Sequence, residues 1–366
     1  MKINHLTLKD FRNIGEMHLA PCEGINIIYG NNAQGKTNLI ESIWLFTGAK
    51  SFRNCKDRDF LRFGTGQSIL KVTFQDEIRE QTAKIIIDDK NKVSLNEIDL
   101  ASRTKLAGNF YSVIFSPIHL SLVKDGPALR RKFLDGAIGQ LKPSYLQLLT
   151  TYNRILDQRN ALLKDVYHHS SLLDMLDIWD DHFIQVNSKL IKIRKNYMER
   201  LSQHAFEIYN GITMNQESLD VSYTCSTCDD FDCENLQEMV RKQLKSIRSE
   251  DLKTGITNVG IHRDDIELNI NGVSARGFAS QGQQRSAVLA LKLAECEIIQ
   301  SYTKTSPIVL LDDVMSELDQ SRRAYILNHL KNKQVFITCC DDTYFKNFTN
   351  GCSFQMIDGA ICKKSC

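Results

Sequence analysis

"INIIYGNNAQGKTNLIESIWLFTG", residues 25–48, decides the fold. An apolar run enters a stretch of small and polar residues. A Lys-Thr pair then opens a segment with apolar residues at helical spacing, which stops at Gly48. Residues 30–37 read Gly-Asn-Asn-Ala-Gln-Gly-Lys-Thr, a full G-x-x-x-x-G-K-[ST] pattern in strand–loop–helix context. Such a loop turns several backbone N–H groups toward one anion, and the helix start adds its positive dipole end. The reading assigns Gly30, Asn31, Asn32, Ala33, Gln34, Gly35, Lys36, Thr37 and Asn38 to nucleotide binding. Gly30 and Gly35 would leave room for the anion. Lys36 is expected to reach the β- and γ-phosphates of ATP, and Thr37 to place its hydroxyl on Mg²⁺, which prefers hard oxygen ligands.

A second anchor for such a cation lies far downstream. "PIVLLDDVMSELD" (307–319) is an apolar run ending in Asp312 and Asp313. A carboxylate at the end of a strand beside the cradle strand is where the metal needs its other ligand. Asp312 suits the metal, and Asp313 suits a base or orienter for an attacking water. Between the two motifs, "FASQGQQRSAVLALKLAE" (278–295) puts Ser280 at the N-cap of an amphipathic helix, with Gln281, Gly282 and Gln283 in its first turn.

Composition sets the frame around these motifs. A chain of 366 residues with 42% apolar content suits a two-domain globular protein, and its net charge of +2 names no partner. No run approaches the ~18 apolar residues of a membrane helix, and the N-terminus lacks a signal peptide's apolar core. A cytoplasmic protein without membrane contact is the expectation. Basic stretches at 130–132, 189–200 and 241–248 fall on expected helices and permit a phosphate-backbone surface built around Lys192, Arg194 and Lys195. The 11 cysteines read as mostly reduced thiols, and Cys225, Cys228 and Cys233 read as an acidic loop in preference to a zinc site lacking a fourth ligand. The pattern divides the chain into α/β residues 1–126, long amphipathic helices over 127–254, and α/β residues again over 255–366.

The order cradle, Ser-Gln-Gly-Gln-Gln, Leu-Asp-Asp resembles ABC-type ATPases. The resemblance sharpens with "LKDFRN" (8–13), "SFRNCKDRDFLRFG" (51–64), "IFSPIHLSLVKDGPALRRKFLDGAI" (114–138) and "VGIHRDDIEL" (259–268). With these the whole chain is similar to the RecF family of bacterial recombination mediators. The resemblance implies an α/β, SMC-like P-loop ATPase head with an inserted, mainly helical second lobe. It implies ATP and Mg²⁺ as cofactors, with Lys36, Asp312 and Asp313 in the catalytic site. It implies an ATP-dependent homodimer in which Ser280, Gln281, Gly282 and Gln283 face the nucleotide of the opposite copy. Ser316, Glu317, Leu318 and Asp319 would form the D-loop between the two copies. DNA, both duplex and single-strand/duplex junctions, would be a partner, with RecR, RecO and, indirectly, RecA. Slow, DNA-stimulated hydrolysis would reset the dimer.

The chain departs from the wider ABC pattern in places. Asp313 stands where Glu is common, "VFITCCDD" offers Cys339 and Cys340 where a His is common, and "IFSPIHL" has no glutamine. His262 and Arg263 of "GIHRDD" read either as part of an Arg–Asp lock near the signature helix or as nucleotide or DNA sensors. Arg53 and Arg62 could reach phosphates or sit on the surface. Two other function classes stay open on sequence: the nucleotide-binding subunit of a transporter, and an interaction protein with an inactive ATPase fold.

Overall fold

Alternation in the first strand sets the N-terminal sheet. Lys2–Phe11 buries Ile3, Leu6, Leu8 and Phe11 while Lys2, His5 and Lys9 face out, and a register shift between Ile3 and His5 restores the phase. The computed structural model describes residues 1–53, 55–166, 170–227, 235–341 and 351–365. In it, an antiparallel sheet runs in the order Ile14–Leu19, Lys2–Phe11, Ser68–Gln75, Glu80–Ile87, Lys92–Leu95, Ile98–Leu100.

The second sheet carries the motifs. Its order is Ala360–Ser365, Gly351–Ile357, Ile25–Tyr29, Val335–Cys339, Ile308–Asp312, Ser112–Phe115, parallel throughout except for the C-terminal hairpin. Val335–Cys339, Ile308–Asp312 and Ser112–Phe115 are buried at every position, as parallel strands covered on both faces should be. Leu39, Ile40 and Ile43 of helix Lys36–Trp44 join residues of both sheets in one apolar core. The helix ends through a short 3₁₀ turn at Gly48, whose left-handed φ of 80° closes it.

The chain folds as two compact units, 1–120 with 208–216 and 285–366, and 121–207 with 217–284. Residues 255–284, expected on sequence to belong with the head, belong to the helical unit instead. The reason is strand pairing. Asp265–Ile270 runs antiparallel to Leu219–Thr224 along its whole length, a partnership no local pattern announces. The helical unit is built from Pro127–Leu141, Pro143–Val166, the 40-residue helix Leu173–Ile212 as far as Glu207, and two shorter helices, Leu236–Ser246 and Arg248–Thr254.

Buried charge organises this second unit. Arg159 is fully buried, donating to Asp180 at 2.7 Å, to Asp251 at 2.8 Å and to the Thr257 hydroxyl at 2.7 Å. Arg194 is equally buried and donates to the Tyr145 hydroxyl, the Asp135 carboxylate and the Ile261 carbonyl. Arg130 grips Asp265 with two hydrogen bonds at 2.7 and 2.8 Å. Ions removed from water need this density of partners.

Candidate nucleotide site

The loop between strand Ile25–Tyr29 and helix Lys36–Trp44 takes three left-handed turns of backbone, at Gly30, Ala33 and Gly35. Gly35 forms the helix N-cap at φ 107° without a side-chain cap, so the first helical N–H groups are left to whatever the loop encloses. The Lys36 ammonium is buried and donates to the carbonyls of Gly30 at 2.7 Å and Asn31 at 2.8 Å. The loop thus holds its own cation at its mouth.

Both predicted metal ligands meet there. Thr37 Oγ1 donates to Asp312 Oδ1 at 2.9 Å across a gap of 275 residues in sequence. Thr338 Oγ1 donates to the same oxygen at 2.9 Å and accepts from the Asp313 N–H at 2.9 Å. Burial pushes the Asp312 carboxyl above its usual range, and the two hydroxyls pull it partly back. A buried carboxylate and a hydroxyl sharing one point, with a helix N-terminus beside them, are the hard donors that Mg²⁺ takes. The residues fit the cation. Asp313 sits at φ 54°, a left-handed conformation costly for a residue with a Cβ. It turns the chain from the strand into the stretch Ser316–Asp319, expected on resemblance to form a D-loop, where Ser316 Oγ donates to the Asp313 carbonyl at 3.1 Å. Glu317 pairs with Arg285 at 3.2 Å, Leu318 is buried, and Asp319 caps helix Gln320–His329 by accepting from Arg322 N at 2.9 Å.

The C-terminal hairpin is the element that sequence reading missed. Its turn donates backbone N–H groups to Gln34, from Asp358 to the side-chain carbonyl and from Gly359 to the main-chain carbonyl at 3.0 Å. A Cβ on Gly30 would stand 2.3 Å from the Met356 carbonyl oxygen, and one on Gly35 would stand 2.6 Å from Asn13 Oδ1. These glycines are therefore required by the protein packed around the loop, in addition to any anion inside it. Thr338 was also missed, because only the pairing of its strand with that of Asp312 brings it there.

The family described as "RecF/RecN/SMC N terminal domain" matches residues 2–362. The DNA replication and repair protein RecF of Acetivibrio thermocellus is 42% identical over 355 residues, covering 95% of each chain. That of Ruminiclostridium cellulolyticum is 36% identical over 99% of each chain. The chain belongs to the RecF family.

A solved structure titled as the recombination mediator protein RecF with ATP in the RecFOR pathway superposes with a TM-score of 0.92, at 35% identity, over 100% of this chain and 98% of that one. An Smc head domain from Pyrococcus furiosus superposes at 0.56 and 17% identity, which speaks to fold alone. The expected α/β, SMC-like ATPase head with a helical insert is what the family and these structures show. Family membership also removes the transporter-subunit alternative.

Within this RecF-family chain the signature stretch keeps its own geometry. Ser280 caps helix Gln281–Thr303: its hydroxyl oxygen accepts from the Gln283 N–H at 3.2 Å, while its N–H donates to Gln283 Oε1 at 2.8 Å. Ser280 and Gln281 are exposed, Gly282 and Gln283 half-buried, and the Gln283 amide also donates to Glu217 at 2.9 Å.

The "GIHRDD" residues form an internal lock. His262 sits between the Tyr152 hydroxyl at 2.6 Å and the Thr257 carbonyl at 3.0 Å. A carbonyl only accepts, so Nε2 carries the proton and Nδ1 receives the tyrosine hydrogen. Burial lowers the His262 pKa to about 4, which keeps the ring neutral. Arg130 pairs with Asp265 at 2.7 Å and Arg194 lies 3.8 Å from Asp264, while Arg263 makes only long contacts of 3.4 Å to Thr257 and Asn258.

The helical surface proposed for phosphate contact is corrected at Arg194, whereas Lys192 is exposed and Lys195 half-buried. Arg194 points into the unit at 1% exposure, while Arg241 and Arg248 are paired with Asp181 and Asp177. Arg53 donates to Asn38 on the cradle helix at 2.9 Å, and Arg62 lies 3.7 Å from Asp10. Exposed Cys340 places its thiol 3.5 Å from Asn32 of the cradle. Cys225 is buried, whereas Cys228 and Cys233 lie outside the described residues. No metal-binding cluster of His, Cys, Asp and Glu occurs among the described residues, and none of their helices is long and apolar enough to cross a membrane.

Proposed function

We propose that this chain is a DNA-binding ATPase of recombinational repair. It dimerises around ATP, works with RecR and RecO to promote RecA loading at single-strand gaps and stalled forks, and resets by slow, DNA-stimulated hydrolysis in the cytoplasm. Family membership and the likeness to an ATP-bound recombination mediator support the reading. The observation that carries the chemistry is the Thr37–Asp312 contact beside the Lys36 loop.

In this reading the 30–37 loop binds the polyphosphate through backbone N–H groups, and Lys36 exchanges its carbonyl partners for phosphate oxygens. Thr37 and Asp312 hold Mg²⁺. The cation, when bound, neutralises charge on the β- and γ-phosphates. Asp313 orients the attacking water. It is one methylene shorter than the Glu common at this position, which suits slow turnover. Asn31, Asn32, Ala33, Gln34 and Asn38 complete the enclosure. The exposed Ser280 and Gln281 close the γ-phosphate of a second copy through the helix N-terminus, with Gly282 and Gln283 behind them and Ser316–Asp319 along the same interface.

The test is sizing of the wild type and of Ser280→Arg with ATP or ADP, beside direct nucleotide titration. ATP but not ADP should yield a homodimer. Ser280→Arg should bind ATP as a monomer yet neither dimerise nor hydrolyse. A Ser280→Arg protein that still dimerises with ATP would sink the trans role, and a wild type without ATPase activity would sink the enzyme.

A further inference from the structure

Strand register places an unusual set of side chains on the outer face of the N-terminal antiparallel sheet. Leu8, Leu70, Val72, Ala83, Ile85 and Val93 point into the core, so their neighbours point out. On that outer face Lys71 and Lys84 stand directly opposite one another on adjacent strands. The same row continues to Thr7 on one side and Ser94 on the other. The next row reads Lys9, Ile69, Ile86, Lys92 across four strands. Lys9, Lys71 and Lys92 are exposed and Lys84 is half-buried.

Acids lie only around the rim of these two rows. Glu16 stands opposite Lys9 on one edge strand, Asp99 opposite Ser94 on the other, Asp88 lies near Lys92 in the hairpin turn, and Glu80 closes the far end of its strand. Neither Lys71 nor Lys84 has an ion-pair partner among the described residues. Like charges directly opposite in an antiparallel pair destabilise the sheet. Around the two lysines, Thr7, Thr73, Thr82, Ser94, Ile69 and Ile86 are neutral and short or branched, with His5 and His18 farther out. A cation-centred surface without a bulky side chain in the middle suits a broad polyanion rather than a small ligand or an apolar helix.

We propose that this sheet face, centred on the opposed Lys71 and Lys84, is a contact surface for the phosphate backbone of DNA. The inference rests on the proposed function, in which the chain binds DNA, and it adds a second surface to the helical one, where Arg194 is buried and Arg241 and Arg248 are paired while Lys192 stays exposed. DNA phosphates relieve the Lys71–Lys84 repulsion, so the face exchanges intrinsic stability for affinity. Contact is to the backbone, and hence independent of sequence and sensitive to salt.

The experiment compares wild type with the Lys71→Gln/Lys84→Gln double variant. It measures affinity for a labelled random-sequence duplex at several salt concentrations, with thermal melting and ATP titration alongside. Losing two phosphate contacts should flatten the log–log salt slope by about 1.8, so the fourfold step from about 50 to 200 mM salt costs roughly twelvefold less affinity than in the wild type. The melting temperature should match or exceed that of the wild type, with ATP affinity unchanged. An unchanged slope overturns the inference while leaving DNA binding intact. A lower melting temperature accompanying the loss also overturns it, because the lysines would then be structural. A wild type that fails to bind duplex instead removes the DNA reading on which the inference stands.

Discussion

The backbone N–H of Gly359 donates to the carbonyl of Gln34 at 3.0 Å, tying the last hairpin of the chain to its phosphate-binding loop. An αL glycine at φ 78° makes the contact, and a Cβ there would stand 2.4 Å from the Asn13 carbonyl oxygen. The loop is thereby shaped by residues more than three hundred positions away.

Gly359→Ala should therefore weaken nucleotide binding. The substitution carries left-handed strain of about 1–2 kcal/mol and a backbone clash, and the turn must move away from Gln34. A tenfold rise in nucleotide Kd, about 1.4 kcal/mol, is the expected outcome in a direct titration. Unchanged affinity would separate the hairpin from the loop.

Substitutions in the Lys36–Asp312 cluster should dissect binding from turnover. Lys36→Ala should lose ATP binding, because the cradle loses the ammonium at its mouth. Asp312→Ala should lose Mg²⁺-dependent hydrolysis, while Asp313→Asn should bind ATP normally and stall. Equal turnover in Asp313→Asn and wild type would remove Asp313 from the chemistry.

Thr338→Val tests a residue with no motif to announce it. Valine has nearly the same shape, yet it strips Asp312 of a donor and leaves the Asp313 N–H without its acceptor. A destabilisation of roughly 1–3 kcal/mol follows from the orphaned groups, read by denaturant unfolding, with slower hydrolysis beside it. A variant as stable and as active as the parent would show that Thr338 positions neither acid.

Acid should loosen the helical unit through His262. Its folded pKa of about 4 lies below the ordinary 6.5, so between these values the unfolded chain binds a proton that the native protein does not. Stability from this group is complete above about pH 6.5 and declines as pH falls toward 4, by of order 2–3 kcal/mol. His262→Gln should flatten that part of the stability–pH curve; an identical curve would assign the acid sensitivity elsewhere.

Arg159→Met should be costly. The guanidinium bridges Asp180 and Asp251, both removed from water, and its loss leaves two buried acids facing each other. Breaking a buried pair in this way costs about 3–5 kcal/mol, measurable as a large fall in melting temperature. A neutral outcome would mean that water enters the cluster.

The local segments that carry the motifs were legible in the sequence because each depends on periodicity and turn chemistry within a few residues. Strand Ile25–Tyr29, the 30–37 loop, helix Lys36–Trp44, the Ser280 cap and the apolar strand ending at Asp312 all appear where the pattern puts them. Local composition also specifies the oxygen donors suited to a divalent cation. What only the tertiary structure decided depends on residues distant in the chain. Arg194 reads as part of a solvated basic face, but it is buried because Asp135 and Tyr145, on two other helices, supply the partners it needs out of water. Residues 255–284 join the helical unit because Asp265–Ile270 finds its partner strand at Leu219–Thr224. Gly30 and Gly35 look like room for phosphate, yet their absent Cβ atoms also admit Met356 and Asn13. Hydrophobic period and loop chemistry are properties of neighbours in sequence, whereas charge burial, strand partnership and steric exclusion belong to neighbours in space.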